Sequence, residues 1–188
     1  MNNIKLSIIV PVYNEMESLA GFLTHIQLQS KHPFELIVVD GGSDDGTWAY
    51  LLDWRDGIAI QSDKGRAVQM NRGASVAQGN VLYFVHVDSE LPYHFDVQLL
   101  AALNKGATAG CFRLAFDSTH FLLRCAARGS RYNHLFCRGG DQSLFVLRTI
   151  FDQLEGYDER YLVCEDLNFI KRILKTSCFT VLPQTLTT

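Results

Sequence analysis

The sequence predicts an α/β domain with a mostly parallel central sheet and helices on both of its faces. Strand-like and helix-like segments alternate over the first 105 residues, which is the pattern of strand–helix–strand units. Several of the strands are short, continuous apolar runs, as expected for strands buried inside a sheet. The chain has 188 residues, of which 47% are hydrophobic and 20% are charged, and this suits one globular domain.

The first half supplies four strand–helix units. The run 6–12 is rich in β-branched residues and predicts the first buried strand. Asn14 and Glu17 have the spacing of a capping box, so we expect Asn14 to cap the following helix. The apolar stripe of that helix comprises Leu19, Phe22, Leu23 and Ile26. Further strands are expected at 36–40, 58–60 and 81–85, and further helices at 47–54, 66–78 and 95–103.

The second half is less regular, but it contains no linker, repeat or low-complexity tract. We therefore expect one domain over residues 1–188. Strands are predicted at 109–116, 143–147 and 179–182, and helices at 121–136, 150–154 and 166–174. Because the chain stops soon after the last predicted strand, we also expect a C-terminal tail beyond Thr188.

Charge and composition exclude several classes of protein. The formal net charge of -3 argues against a general nucleic-acid binder, which needs a basic surface. The five cysteines include no C-x-x-C pair, so reduced thiols in a cytoplasmic protein are expected. The N-terminus does not have the pattern of a signal peptide, and no apolar run approaches the ~18 residues of a transmembrane helix.

Three polar clusters follow predicted strands, at 14–15, 40–46 and 86–89. Each alone is typical of a turn. Because the carboxyl ends of parallel strands meet at one edge of a sheet, where ligands bind, the three together favour a shared crevice.

The chemistry of these residues suggests roles. Asp40 can accept hydrogen bonds from a pyrimidine N–H or ribose hydroxyls, and the glycine after it lets the backbone approach a ligand. Asp88 offers the hard oxygen ligand that Mg²⁺ or Mn²⁺ prefers. Such an ion would neutralise the negative charge of a nucleoside diphosphate that departs as a leaving group. The alternative for Asp88 is a turn or helix cap before Pro92.

Two charged segments have competing interpretations. Residues 64–66 place two cations and a glycine before a helix, which suits an anion site, although a solvated loop carries the same pattern. Glu165 and Asp166 open the last long helix, where the macrodipole favours carboxylates. Either of them could instead act as a general base toward an attacking hydroxyl.

The motifs as a set resemble the inverting nucleotide-diphospho-sugar glycosyltransferases of family 2, which have the GT-A (Rossmann-like) fold. The segment 7–15, SIIVPVYNE, is similar to the opening motif of that family, and 38–47, VVDGGSDDGT, to its second motif. The Asp-x-Asp metal motif aligns with 86–88. Residues 64–71 and 140–142 resemble a poorly characterised bacterial subgroup. The resemblance covers about residues 5–182.

The resemblance implies a role for each matching position. Residues to about 105 would bind the nucleotide sugar, and those from about 106 would supply the acceptor site and the catalytic base. Asp88 would bind Mn²⁺ or Mg²⁺, and Asp166, in the pair with Glu165, would be the base. The implied donor-binding residues are Pro11, Tyr13, Glu15, Asp40, Gly41, Arg66 and Val87.

One position departs from the family pattern. His86 replaces the first aspartate of the metal motif, and imidazole can bind Mn²⁺ or can hydrogen-bond a neighbouring loop instead. The Gln-x-x-Arg-Trp signature of processive synthases is absent from the sequence. Two other functions stay open: a nucleotide-sugar-binding protein without turnover, and a sugar-phosphate nucleotidyltransferase. The acidic 14–15 segment disfavours the latter, which needs a basic Gly-rich loop at that point.

The donor and acceptor are only partly indicated. Asp40 suits uracil, so a UDP-sugar is our first expectation and a GDP-sugar our second. The acceptor is unknown. Segment 121–136 could contact a membrane surface or a partner subunit. The cations Arg124, Arg128, Arg131, His134 and Arg138 could hold a phosphorylated acceptor or the donor diphosphate, or could form a solvated helix face.

Overall fold

The structure is a computed structural model that describes residues 5–115 and 143–188. The predicted helix 121–136, the cations between Arg124 and Arg138, and the segment 140–142 lie outside these ranges. Among the helices that the structure describes, each is too short or too polar to cross a lipid bilayer.

The described ranges contain seven strands and six helices. The strands are β1 (Leu6–Val12), β2 (Glu35–Asp40), β3 (Ile58–Gln61), β4 (Val81–Phe84), β5 (Ala109–Ala115), β6 (Leu144–Leu147) and β7 (Phe179–Thr187). The helices are α1 (Met16–Gln29), α2 (Thr47–Asp53), α3 (Arg66–Val76), α4 (Phe95–Asn104), α5 (Arg148–Gln153) and α6 (Glu165–Thr176).

The strands form one sheet in the order β3-β2-β1-β4-β6-β5-β7. Strands β1 to β4 pair in parallel, and β5 pairs in parallel with β7. Strand β6 lies between β4 and β5 and runs antiparallel to both. The register places Val12, at the end of β1, beside Asp40, at the end of β2, so the loops that follow both strands leave the same edge.

Apolar clusters cover both faces of the sheet. On one face, Ile8 and Val10 pack with the buried residues of α1, α2 and α4. On the other face, Ile9 packs with those of α3, α5 and α6. Successive side chains of a strand point to opposite faces, so a strand that is apolar throughout requires helices on both. The predicted α/β architecture is confirmed.

Two local predictions were wrong. Asn14 does not cap α1: the N-cap position is Glu15, no side chain of that residue bonds the helix, and Asn14 has a positive φ of 56°. The last strand extends to Thr187 rather than Leu182. β7 continues its pairing with β5 across a register shift between Phe112 and Arg113, which lets the strand pass Pro183.

Candidate functional site

A cavity of about 670 Å³ lies at the carboxyl ends of β1 and β4, beside the amino ends of α3 and α6. This is the edge at which open α/β sheets bind ligands. The predicted donor residues that line it are Pro11, Tyr13, Glu15, Arg66 and Val87. The predicted metal ligands His86 and Asp88 also line it, as does Glu165.

The two loops at the start of this edge are joined to each other. Asn14 donates from its backbone N–H to Ser43 Oγ at 2.9 Å and from Nδ2 to Asp44 Oδ1 at 2.9 Å. The Asp44 backbone N–H donates back to Asn14 Oδ1 at 3.0 Å. One of the orphan N–H groups at the start of α1 is bonded by the same loop, because Asp45 Oδ2 accepts from the backbone N–H of Met16 at 3.0 Å. Thus the loop after β2 caps the helix that follows β1.

Asp40 is fully buried beneath this loop and is not one of the residues that line the cavity. Its carboxylate accepts hydrogen bonds from the backbone N–H groups of Gly42 and Ser43, at 3.0 and 3.2 Å. It also accepts one from Gln61 Nε2 at 3.2 Å. The carboxylate therefore holds the shape of its own turn. Gly41 likewise lies outside the cavity lining.

Cationic groups stand on the β3 side of the cavity. Lys64 Nζ lies over the ring of Tyr13, 3.7 Å from its centroid, which fits a cation–π contact. Gly65 has a φ of 144°, and Arg66 begins α3. The amino end of α3 therefore offers backbone N–H groups and two cations to an anion.

Two carboxylates, Glu15 and Asp88, face this basic edge. The pKa of Glu15 is raised from its ordinary value, first by burial and then by repulsion from Asp88 and Asp45, while Arg66 opposes the shift. Asp88 is exposed at the cavity. A bound cation would relieve the repulsion between these carboxylates.

Glu165 and Asp166 open α6 on the far side. Their side chains are 3% and 4% exposed. Glu165 lines the cavity, whereas Asp166 is not among its lining residues. Behind them is the buried phenol of Tyr157, whose ring centroid is 4.6 Å from that of Phe169. The pKa of Tyr157 is raised well above its ordinary value by burial and by the two carboxylates.

The sequence analysis missed several residues of the cavity wall. Gln69 belongs to the 64–71 segment noted above, but its position in the predicted helix did not indicate that it lines a site. Leu162 and Val163 come from the loop before α6 and are largely exposed, so neither periodicity nor a motif identified them.

In the part of the chain that the structure describes, no three His, Cys, Asp or Glu side chains form a ready-made metal site. The exposed oxygen ligand of Asp88 beside Glu15 nevertheless suits Mg²⁺ or Mn²⁺. Such ions are commonly held by one or two carboxylates together with substrate phosphates and water.

Comparison with known proteins decides the family. The protein-family sequence model described as "Glycosyl transferase family 2" matches residues 7–152 of the chain. The chain belongs to this family. This match confirms the resemblance drawn from the sequence motifs. Family 2 glycosyltransferases are inverting enzymes.

Other members and solved structures agree with the family 2 assignment. A PGL/p-HBAD biosynthesis glycosyltransferase of Mycobacterium bovis is 32% identical over 175 residues, which are 87% of this chain and 67% of the relative. S. aureus TarS 1-349, solved in complex with UDP-GlcNAc, has a TM-score of 0.78 at 17% identity, covering 98% of this chain and 59% of TarS. The Pyrobaculum calidifontis mannosyltransferase PcManGT, solved with GDP-Man and Mn²⁺, gives 0.75 at 18%, covering 98% and 56%. The chain spans less than two thirds of either solved structure. At these identities the two structures support the GT-A-like fold.

Proposed function

We propose that this chain transfers a sugar from a nucleoside diphosphate donor to a hydroxyl acceptor, with inversion at the anomeric carbon. The observation that carries the proposal is the cavity itself. At the ligand-binding edge of a family 2 chain, it combines a basic helix start, an acidic pair suited to a cation, and a buried carboxylate on the opposite wall.

In this proposal the nucleoside lies toward β1 and β2, against Pro11 and Tyr13. The diphosphate lies toward Arg66 and Asp88. Arg66 and the amino end of α3 would bind phosphate oxygens, since both offer N–H donors to an anion. Asp40 would act by holding the 40–46 turn, and Gly41 by allowing that turn to pack closely.

Asp88 is the residue proposed to hold Mn²⁺ or Mg²⁺, with Glu15 nearby and His86 as a further candidate ligand. When bound, the ion supplies positive charge that stabilises the leaving nucleoside diphosphate. The complex of PcManGT with Mn²⁺ and GDP-Man supports this choice of cofactor.

The acidic pair of α6 supplies the proposed general base. A single displacement needs no enzyme nucleophile, but the acceptor hydroxyl must lose its proton as it attacks the anomeric carbon. Asp166 is the proposed base, and Glu165, which lines the cavity, is its neighbour. The raised pKa of Tyr157 keeps that phenol protonated, so it can stabilise the carboxylates without competing for the proton.

UDP is the first candidate for the nucleotide and GDP the second. The complex of TarS with UDP-GlcNAc supports the former, and that of PcManGT with GDP-Man supports the latter. Comparing the calorimetric affinities of the protein for UDP and for GDP distinguishes these two candidates.

Calorimetric titration tests the proposal directly. UDP or GDP should bind the wild-type protein more tightly with Mn²⁺ than with a chelator, whereas Asp88→Ala should show the same weak affinity in both. Asp53→Ala, an exposed carboxylate of α2, is the matched control and should behave as wild type.

Failure of the wild-type protein to bind any nucleoside diphosphate would contradict the proposal. Slow hydrolysis of a bound UDP- or GDP-sugar would argue against a purely binding role. Release of pyrophosphate from a nucleoside triphosphate and a sugar phosphate would instead identify a nucleotidyltransferase.

A further inference from the structure

Gln69 is a buried amide in the wall of the cavity. Only 3% of its surface is exposed, yet it is one of the lining residues. Its Nε2 donates to the carbonyl oxygens of Val12 and Val39, each at 2.8 Å. Both amide hydrogens are therefore used. Because carbonyl oxygens only accept, rotating the amide by half a turn would set Oε1 against both of them, so its orientation is fixed.

These two bonds join the ends of two strands. Val12 is the last residue of β1, and Val39 precedes the last residue of β2. The backbone N–H of Gly41 adds a third link, to the Val12 carbonyl at 2.9 Å. One side chain of α3 therefore fixes the end of β1, from which the loop with Tyr13 starts, and the end of β2, which carries Asp40.

Gly41 packs directly against this amide. A Cβ at position 41 would lie 3.1 Å from each of Cδ, Nε2 and Oε1 of Gln69. The φ angle of Gly41 is not in the left-handed region. Glycine is therefore favoured at this position because it has no Cβ, and not because of its conformational freedom. Gly41 and Gln69 thus form a fitted pair.

The remaining polar atom of the side chain is Oε1. Among the described residues no group donates a hydrogen bond to Oε1, and this atom is not sealed from solvent. Oε1 can only accept, and phosphate oxygens also only accept. The part of a nucleotide sugar that could pair with it is therefore an N–H or O–H group, which excludes the diphosphate.

We propose that Gln69 positions the nucleoside of the donor. Its Nε2 holds the ends of β1 and β2 together, and its Oε1 accepts a hydrogen bond from a base N–H or a ribose hydroxyl. This inference rests on the proposed glycosyltransferase function, and it gives a specific role to one residue of the 64–71 segment.

Gln69→Met tests the role, because methionine keeps the length of the side chain and removes both polar groups. We measure binding of UDP, GDP and inorganic pyrophosphate by calorimetry in Mn²⁺, at a temperature where the variants are folded. The better nucleotide should bind about 5- to 10-fold more weakly, the equivalent of one hydrogen bond, while pyrophosphate should bind as in wild type. Gln78→Met, an exposed position beyond the end of α3, is the matched control.

A second variant keeps the test independent of the stability of Gln69→Met. Gly41→Ala should also weaken nucleotide binding, because its methyl group displaces the Gln69 amide. In a Gln69→Ala background, which vacates that space, Gly41→Ala should cause no further loss. Such non-additivity is the signature of two residues that act as a pair.

Three outcomes would overturn the proposal. Nucleotide affinity unchanged in both single variants would remove any role of Gln69 in binding. Equal losses for nucleotide and pyrophosphate would indicate a structural role alone. A wild-type protein that binds neither nucleotide would refute the proposed function together with this inference, which separates it from the first two outcomes.

Discussion

Glu165 and Asp166 are neighbours in the chain, yet their side chains face different surroundings. Glu165 lines the cavity, while Asp166 is not one of the lining residues and lies beside the buried phenol of Tyr157. Both are almost fully buried, so either is shielded enough to act as a base. Burial alone therefore does not identify which of the two carboxylates is the base. Substituting each of them separately does.

Asp166→Asn should lower turnover by about 10²- to 10⁴-fold, the usual contribution of a general base, with donor affinity unchanged. The experiment compares the rate of sugar transfer and the calorimetric affinity for the donor in this variant and in Glu165→Gln. Asp152→Asn, an exposed carboxylate on α5, serves as the control. If Glu165→Gln alone loses turnover, the base is Glu165; if neither does, the assignment of the base to this pair is wrong.

Glu15 predicts a pH dependence of stability. Its pKa is raised from 4.5 by burial and by Asp88 and Asp45, so above that value the folded chain holds a proton that the unfolded chain releases. Stability should therefore fall as pH rises from 4.5 through the raised pKa, and be unaffected by this group at lower pH.

Glu15→Gln removes this penalty. In urea unfolding, the variant should gain stability relative to wild type as the pH rises from about 4 to about 7, and the two should converge at the acid end. The exposed Asp53→Asn should show no such trend. A constant difference at all pH values would contradict the assigned cause.

At the scale of an element, α3 lies unusually close to the sheet. A Cβ at Gly73 would overlap Ile9 Cγ2 and would lie 3.1 Å from Val39 Cγ2. This close approach places the first turns of the helix against the ends of β1 and β2, where Gln69 reaches both strands. A glycine in the middle of a helix, unfavourable by propensity, is thus explained by packing.

Gly73→Ala should destabilise the protein by about 1–3 kcal/mol through overpacking, although alanine favours helix formation by about 1 kcal/mol. Ser75→Ala, on the exposed side of the same helix, should change stability by no more than about 0.5 kcal/mol. Chemical denaturation measures both variants. A Gly73→Ala protein as stable as wild type would show that the helix can move away without cost.

At the scale of the whole molecule, the two proposed halves share one sheet and both apolar clusters. Phe112 and Phe145 pack with Ile8 and Val10 of the first strand on one face. Phe151 and Phe169 pack with Ile9 on the other. Without the second half, β4 would become an open edge, and much of the apolar surface beneath it would be in water.

We therefore expect a fragment of residues 1–105 not to fold alone. Thermal unfolding followed by circular dichroism should show no cooperative transition for the fragment, in contrast to the full 188-residue chain. A cooperative transition in the fragment would mean that the nucleotide-binding half is an independent domain.

Local sequence determined the elements and much of the site. A strand that is apolar at all but one position, such as 6–12, requires cover on both faces. Polar clusters at successive strand ends must meet at one edge of a parallel sheet. For these reasons the architecture was predictable, and most of the predicted site residues line one cavity.

The tertiary structure decided how individual polar groups are used. Asn14 bonds the loop of Asp44 rather than capping its own helix, Asp40 is buried by its own turn, and Gln69 spans two strand ends. β7 continues past Pro183 because β5 offers it partners. Each outcome depends on groups brought together from distant parts of the chain, and periodicity within one segment carries no information about such partners.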